Sequence, residues 1–243
     1  MNNCTTRLAR CLQLPRYRQA LIGIVLCAAA SMGGTAVAAG APADGSWLKG
    51  IYVGVPDATV LKGGKRNSGS PEKIAANPAF PRATEEDQKY DPLNECMPLG
   101  AFRMMARPEI RIEFVPQKDR LVMLFEEISL GRTRVAHLDR GHRTDGLRTW
   151  QGDTVGKWNG NVLTLDTVGF NDRTWLNGDR VRHGEGLHLV ETLRPLEGGE
   201  VIEYTVKASD PEALASPYSY TRYFRRNNRE FRELICVQHY DAN

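Results

Sequence analysis

Acidic residues are absent from the first 38 positions of this 243-residue chain, which instead carry Arg7, Arg10, Arg16 and Arg18 and three of the five cysteines, Cys4, Cys11 and Cys27. A basic start, an apolar run from Ala20 to Ala30 and the small residues Ala36-Val37-Ala38 follow the order of a secretory signal peptide. The run is short and rich in Ala and Gly, which disfavours a spanning helix and leaves an uncleaved anchor as the alternative. Ile24-Val25-Leu26 ahead of Cys27 lacks the small residue of a lipoprotein signal. The rest of the chain holds no nucleotide-binding glycine loop and no useful helical periodicity. It also has no Gly-x-Ser-x-Gly elbow, and its serines sit mostly in loops (Ser46, Ser68, Ser70, Ser216), which argues against a serine hydrolase.

Cleavage after Ala38 leaves 205 residues with 28 basic and 29 acidic side chains, a net charge of −1 before histidine. The apparent basicity of the full chain thus belongs to its targeting segment. No basic footprint for nucleic acid or an anionic membrane survives, and no stable membrane anchor is expected after cleavage. The expected location is periplasmic or secreted. Two cysteines remain, Cys96 and Cys236, most simply one disulfide in an oxidising compartment. Two buried thiols or a nucleophilic cysteine are the alternatives. About 200 residues suffice for one substantial core.

Residues 39–106 read as an irregular arm, since seven prolines between Pro42 and Pro98 and the run Lys62–Ser70 exclude long regular elements. Within it, Gly50–Val55 predicts a short strand and Thr84–Lys89 a helical turn with a capping box at Thr84 and Asp87. Residues 107–243 carry alternating apolar runs: Ile110–Phe114, Leu121–Phe125, Thr133–Leu138, Thr154–Trp158, Val162–Thr167, Leu187–Leu193, Val201–Ala208, Tyr218–Arg225 and Phe231–Gln238. Asn159-Gly160 marks a tight hairpin with positive φ at both central residues. The expectation is an all-β fold, an antiparallel up-and-down barrel of the lipocalin or calycin kind, with a flattened sandwich second. Such a barrel leaves room for side chains or one small ligand.

Three of four tryptophans and four of five histidines fall between His137 and Glu191. Trp150, Trp158 and Trp175 are either plugs of a wide barrel or ligand platforms. Asp166 lies on a strand, where a carboxylate facing inward must meet an arginine or hydroxyl or else serve a pocket. Asn171 and Asp172 suit turn capping. His137 and His142, like His183 and His188, are five apart, which places the members of a pair on opposite strand faces and argues against a metal site built from either pair. His183, Glu185 and His188 instead suggest metal-free acid–base chemistry, with a carboxylate orienting an imidazole. One consistent facing puts His188 inward and Glu191 outward. Tyr204, Tyr218, Tyr220 and Tyr223 are strand residues, and Tyr220 and Tyr223 fall on opposite faces.

Thr149-Trp150-x-Gly152, Gly156-x-Trp158-x-Gly160, Leu165-Asp166-Thr167-x-Gly169-Phe170-Asn171 and Trp175, followed by His183-x-Glu185-x-Leu187-His188 and preceded by Cys96-x-Pro98-x-Gly100, resemble a family of exported bacterial proteins. The resemblance runs from about Asn94 to the C-terminus. Asp153-Thr154 and Asn159-Gly160-Asn161-Val162 depart from the family pattern, the latter on a hairpin turn. The wider group is similar to cofactor-independent lyases, among them decarboxylases of lignin-derived phenolic dimers. This implies proton transfer by His183 or His188, orientation by Asp166 or Glu185, and a carboxylate held by Arg134 or Arg173. The implied substrate is a small aromatic molecule seated among Trp150, Trp158, Trp175 and Asn171 in a barrel cavity, with no metal or organic cofactor. The competing readings are a non-catalytic periplasmic carrier of hydrophobic small molecules and a structural envelope protein. Homo-oligomerisation is left open.

Overall fold

The computed structural model describes residues 45–127 and 131–236. The signal segment expected at 1–38, the start of the arm and the end of the run Phe231–Gln238 lie outside the described residues. Nine strands form a closed barrel in chain order: β1 (Gly50–Gly54), β2 (Arg111–Pro116), β3 (Arg120–Glu126), β4 (Thr133–His137), β5 (Asp153–Asn159), β6 (Val162–Val168), β7 (His188–Leu196), β8 (Val201–Ser209) and β9 (Tyr218–Arg226). The strand expected in the arm is β1, which pairs with both β2 and β9 and so closes the barrel. That closure accounts for one correction. Phe231 to Cys236 forms no strand, because β9 already has β8 on one edge and β1 on the other.

A second correction concerns strand direction. Every neighbouring pair is antiparallel except β4 and β5, which run parallel through Ala136↔Thr154 and His137↔Val155. Parallel strands cannot share a hairpin, so residues 138–152 form a long crossing loop where consecutive hairpins were expected. The β5–β6 turn is also shifted by one residue. Asn159 pairs with Val162, leaving Gly160 and Asn161 as the central residues, and only Gly160 has positive φ (59°).

Alternation sorts the faces. Ile112, Phe114, Leu121, Met123, Phe125, Leu163, Leu165, Leu189, Leu193, Tyr204, Tyr220 and Phe224 are all buried. A six-residue helix, α1 (Ala101–Ala106), which the sequence did not announce, adds Phe102, Met104 and Met105 to this core. Tyr223 packs in a separate cluster with Val55, Leu61 and Val201, opposite in facing to Tyr220. At one end Trp47 and Trp158 meet edge to face at 6.2 Å. There the Tyr52 hydroxyl donates toward the carbonyls of Trp47 (2.7 Å) and Gly199 (2.8 Å). The capping box forms: the Thr84 amide donates to Asp87 Oδ2 (2.7 Å) and the Asp87 amide to Thr84 Oγ1 (3.2 Å), opening a 3₁₀ turn at Glu86–Tyr90.

Cys96 and Cys236 are joined in a disulfide, Cα–Cα 5.8 Å, across 140 residues. It holds the stretch after β9, with no regular structure, against the segment that leads into α1. Arg232 to Glu126 (3.1 Å) and Arg132 to the Leu234 carbonyl (2.9 Å) pin the same stretch.

Candidate functional site

The family-like motifs come together first as structure. Thr149 bridges to Phe170, its amide donating to the Gly169 carbonyl (3.0 Å) while the Asn171 amide donates to the Thr149 carbonyl (2.9 Å). Gly152 turns beneath this bridge with φ of 70°, and a Cβ there would lie 2.7 Å from Thr167 Cγ2. Asn171 caps its turn by accepting from the Arg173 amide (3.2 Å). Trp150 is half-buried in the same turn.

The expected facing of β7 is reversed. Leu189, Glu191 and Leu193 point inward and His188 points out, its side chain 40% exposed. Glu191 is buried instead, and Arg134 grips it with both guanidinium nitrogens, at 2.8 and 2.5 Å. Thr154 and Thr167 accept from the same guanidinium, and the Tyr204 hydroxyl donates to Glu191 (2.8 Å). Burial works against the Arg134 charge, but the Glu191 carboxylate outweighs it and holds the guanidinium protonated. Burial also pushes the Tyr204 and Tyr220 phenols well up, so both stay neutral. Arg134 therefore does hold a carboxylate bidentately, but the carboxylate is the protein's own. The centre of the barrel is filled by this network.

Asp166 lies on the outer face of β6, between two histidines. His188 Nε2 is 3.0 Å from Oδ2 and His142 Nε2 is 2.8 Å from Oδ1. His142 Nδ1 is 3.1 Å from Asp153 Oδ2, and Asp153 also receives Arg140 and the Arg143 amide (2.9 Å). Burial resists ionisation of Asp153 and Asp166. The donors outweigh it, those of Arg140, Arg143 and His142 at Asp153 and those of His188 and His142 at Asp166, holding both carboxyls below the usual range. An ionised carboxylate only accepts, which assigns a proton to His188 Nε2. No described residue bonds Nδ1. A cleft of about 350 Å³ adjoins this cluster at Asp153 and Val168, with Leu147 and Leu187 as apolar wall and Arg143 and Arg148 as cations.

His183 and Glu185 stand apart from Asp166. His183 is buried, its Nδ1 donating to the Gly184 carbonyl (2.8 Å) and its Nε2 accepting from Thr174 (2.5 Å), and burial lowers its pKa so that it stays neutral. Glu185 is exposed and pairs with Arg148 (2.8 Å). Of the three tryptophans, Trp158 plugs one end, Trp175 is buried in the 169–187 connection and Trp150 lies in the crossing loop, so they do not line one cavity. Arg173 is exposed. Among the described residues no group of three or more His, Cys, Asp and Glu is arranged to hold a metal ion.

His142 was missed as a partner of Asp166, and Asp153 and Arg140 as the groups that hold His142 in turn. Their only local signal is the basic run Arg140-Gly141-His142-Arg143 ahead of Asp153. No protein-family model matches this chain, and no curated protein matches it.

Proposed function

We propose that the protein is a cofactor-independent lyase of the decarboxylase type, acting on a small phenolic carboxylate, with His188 as its proton-transfer residue. The observation behind this reading is the His188 ring itself. Asp166 holds Nε2 and leaves Nδ1 without a bond to any described residue, on a half-buried ring that follows Leu187, a wall of the cleft lined by apolar, cationic and anionic side chains. The barrel is read as lipocalin-like in topology but not in use, since the Arg134–Glu191 network occupies the space a carried ligand would need.

In this scheme Nδ1 takes the phenolic proton, and the phenolate's electron pair expels an oxygen leaving group from the para side-chain carbon, giving a quinone methide. The bond to the neighbouring carboxylate then breaks. Its electrons form the side-chain double bond, the ring regains aromaticity as phenolate, and carbon dioxide leaves. Water protonates the departing oxygen at the far end of the ring, and the imidazolium gives its proton back to solvent. Arg143, exchanging Asp145 for the substrate, or Arg148, exchanging Glu185, holds the substrate carboxylate before it is lost.

The test is turnover of a phenolic aryl-ether carboxylate by chelator-treated protein, followed by carbon dioxide release. His188→Ala is expected to lower kcat by roughly 10²–10⁴-fold while probe binding persists. Equal rates for wild type and His188→Ala would refute the assignment. Binding by the wild type without conversion would favour the carrier reading instead.

A further inference from the structure

Across the Arg148–Glu185 pair from the first cleft lies a second, of about 510 Å³, walled by Phe80, Arg182, Asp172, Gly184 and Glu212. Its charges are unusual in being left over. Arg148 and Glu185 neutralise each other. Nearly every other arginine around the 138–152 loop is engaged: Arg140 by Asp153 and Arg143 by Asp145. Arg182 is half-buried and its guanidinium forms no hydrogen bond or ion pair with a described group, its charge reaching Asp87 from a distance. The carboxylates of Asp172 and Glu212 likewise have no partner among the described residues, although both face the same space.

The floor of this cleft is rigid. Asp210 is buried and accepts from the amides of Gly184 (2.7 Å), Glu212 (3.0 Å) and Ala213 (3.0 Å), so the backbones of the two lining segments are locked together. Gly184 keeps the floor low: a Cβ there would come within 3.5 Å of Glu212 Oε2 and 3.7 Å of Phe80 Cε2. His183 seals the base with both ring nitrogens occupied and adds no charge. A cation and two carboxylates that line one concavity without forming an ion pair there fit a ligand that carries both signs. Charge-assisted bonds to each end would replace water on groups that the fold has left open.

We infer that this cleft binds a free α-amino acid, its carboxylate on Arg182 and its ammonium on Glu212 and Asp172. The surplus negative charge of the cleft favours a basic side chain. The site is separate from the His188 reading and does not depend on it.

Isothermal titration of the full chain with L-lysine, L-alanine, acetate and n-butylamine tests the inference. L-lysine is expected to saturate one site, L-alanine to bind more weakly, and acetate and n-butylamine each to bind at least about tenfold more weakly than L-lysine. Arg182→Gln and Glu212→Gln should each weaken L-lysine binding about tenfold or more, with thermal melts like the wild type. Arg182→Lys, which keeps the charge, should retain most of the affinity and guards against a folding artefact. No saturable binding of either amino acid would overturn the inference. So would equal affinity for the single-charge probes, or an L-lysine affinity that Arg182→Gln and Glu212→Gln leave unchanged.

Discussion

Arg134 on β4 and Glu191 on β7 clasp one another at 2.5–2.8 Å through the middle of the barrel, 57 residues apart in sequence and almost wholly buried. Each is the other's main compensation for lost water. Glu191→Leu would leave a guanidinium buried without its anion, and an expected loss of about 3–5 kcal/mol follows, read by urea unfolding. Replacing Arg134 by Met in the same chain should recover much of that loss. If the single and double variants unfold alike, the clasp is not what holds these strands.

The outer cluster titrates in the opposite region from the core. Asp153 and Asp166 have folded pKa values below the ordinary aspartate value of about 3.9. Their contribution to stability is thus complete above about pH 4 and falls away as pH drops through the folded values. Urea midpoints measured from pH 6 down to pH 2.5 should decline on this limb, and Asp153→Asn should flatten the decline. An unchanged slope in Asp153→Asn would show that the anchoring of the crossing loop adds nothing.

Tyr52 is one of four phenols whose raised values shape the alkaline limit. Burial pushes its phenol up to about 12, partly offset by Arg226. Because the folded value is raised, the stability it contributes is complete below about pH 10 and lost as pH rises through about 12. Tyr52→Phe should lessen this alkaline dependence, Tyr204, Tyr220 and Tyr223 supplying the rest, while lowering stability at neutral pH by roughly 1–2 kcal/mol, the hydroxyl's bonds to Trp47 and Gly199 being lost. Midpoints compared at pH 8, 10 and 11.5 would show it.

Gly152 carries the family-like motif for steric reasons. With φ at 70° and Thr167, the Val168 carbonyl and Phe170 all within 3.0 Å of where a Cβ would stand, Gly152→Ala should cost roughly 1–3 kcal/mol. Thermal unfolding of Gly152→Ala checks this. A melt unchanged from wild type would mean the turn rearranges freely.

These motifs explain both what could be read from the residues and what could not. Alternation in Leu121–Phe125 or Val201–Ala208 places strands because each residue reports its own solvent exposure. Leu187, Leu189 and Leu193 share a face with Glu191 and Val190 and Thr192 share one with His188, so alternation alone left the inward face of β7 open. What was not visible was Arg134, which with Tyr204 and Thr167 makes an inward glutamate tolerable, and without it nothing decided between an inward His188 and an inward Glu191. The parallel β4–β5 pair was hidden for a similar reason. Two bridging residue pairs leave no mark in local composition. His142 reaches Asp166 only because the crossing loop folds down onto the outer wall, a tertiary event with no periodic signature. Thr149 and Gly152 stood out as a motif, yet their contacts are the packing of a turn, which shows that a distinctive pattern can belong to architecture more than to chemistry.

The bond between Cys96 and Cys236 makes the chain a covalent ring with a tail. Eight of the nine strands, β2 to β9, lie on the ring, and β1 alone lies on the tail, held between β2 and β9 without any covalent tie to them. A single cut by a protease in the crossing loop would open the ring and release nothing: the two arcs stay joined through sulfur and migrate as one species until a reductant is added. A cut between β1 and Cys96 is different, because it frees the strand that closes the barrel. The durability of this protein outside a reducing compartment is therefore set less by its exposed loops than by the 41 residues between Gly54 and Cys96.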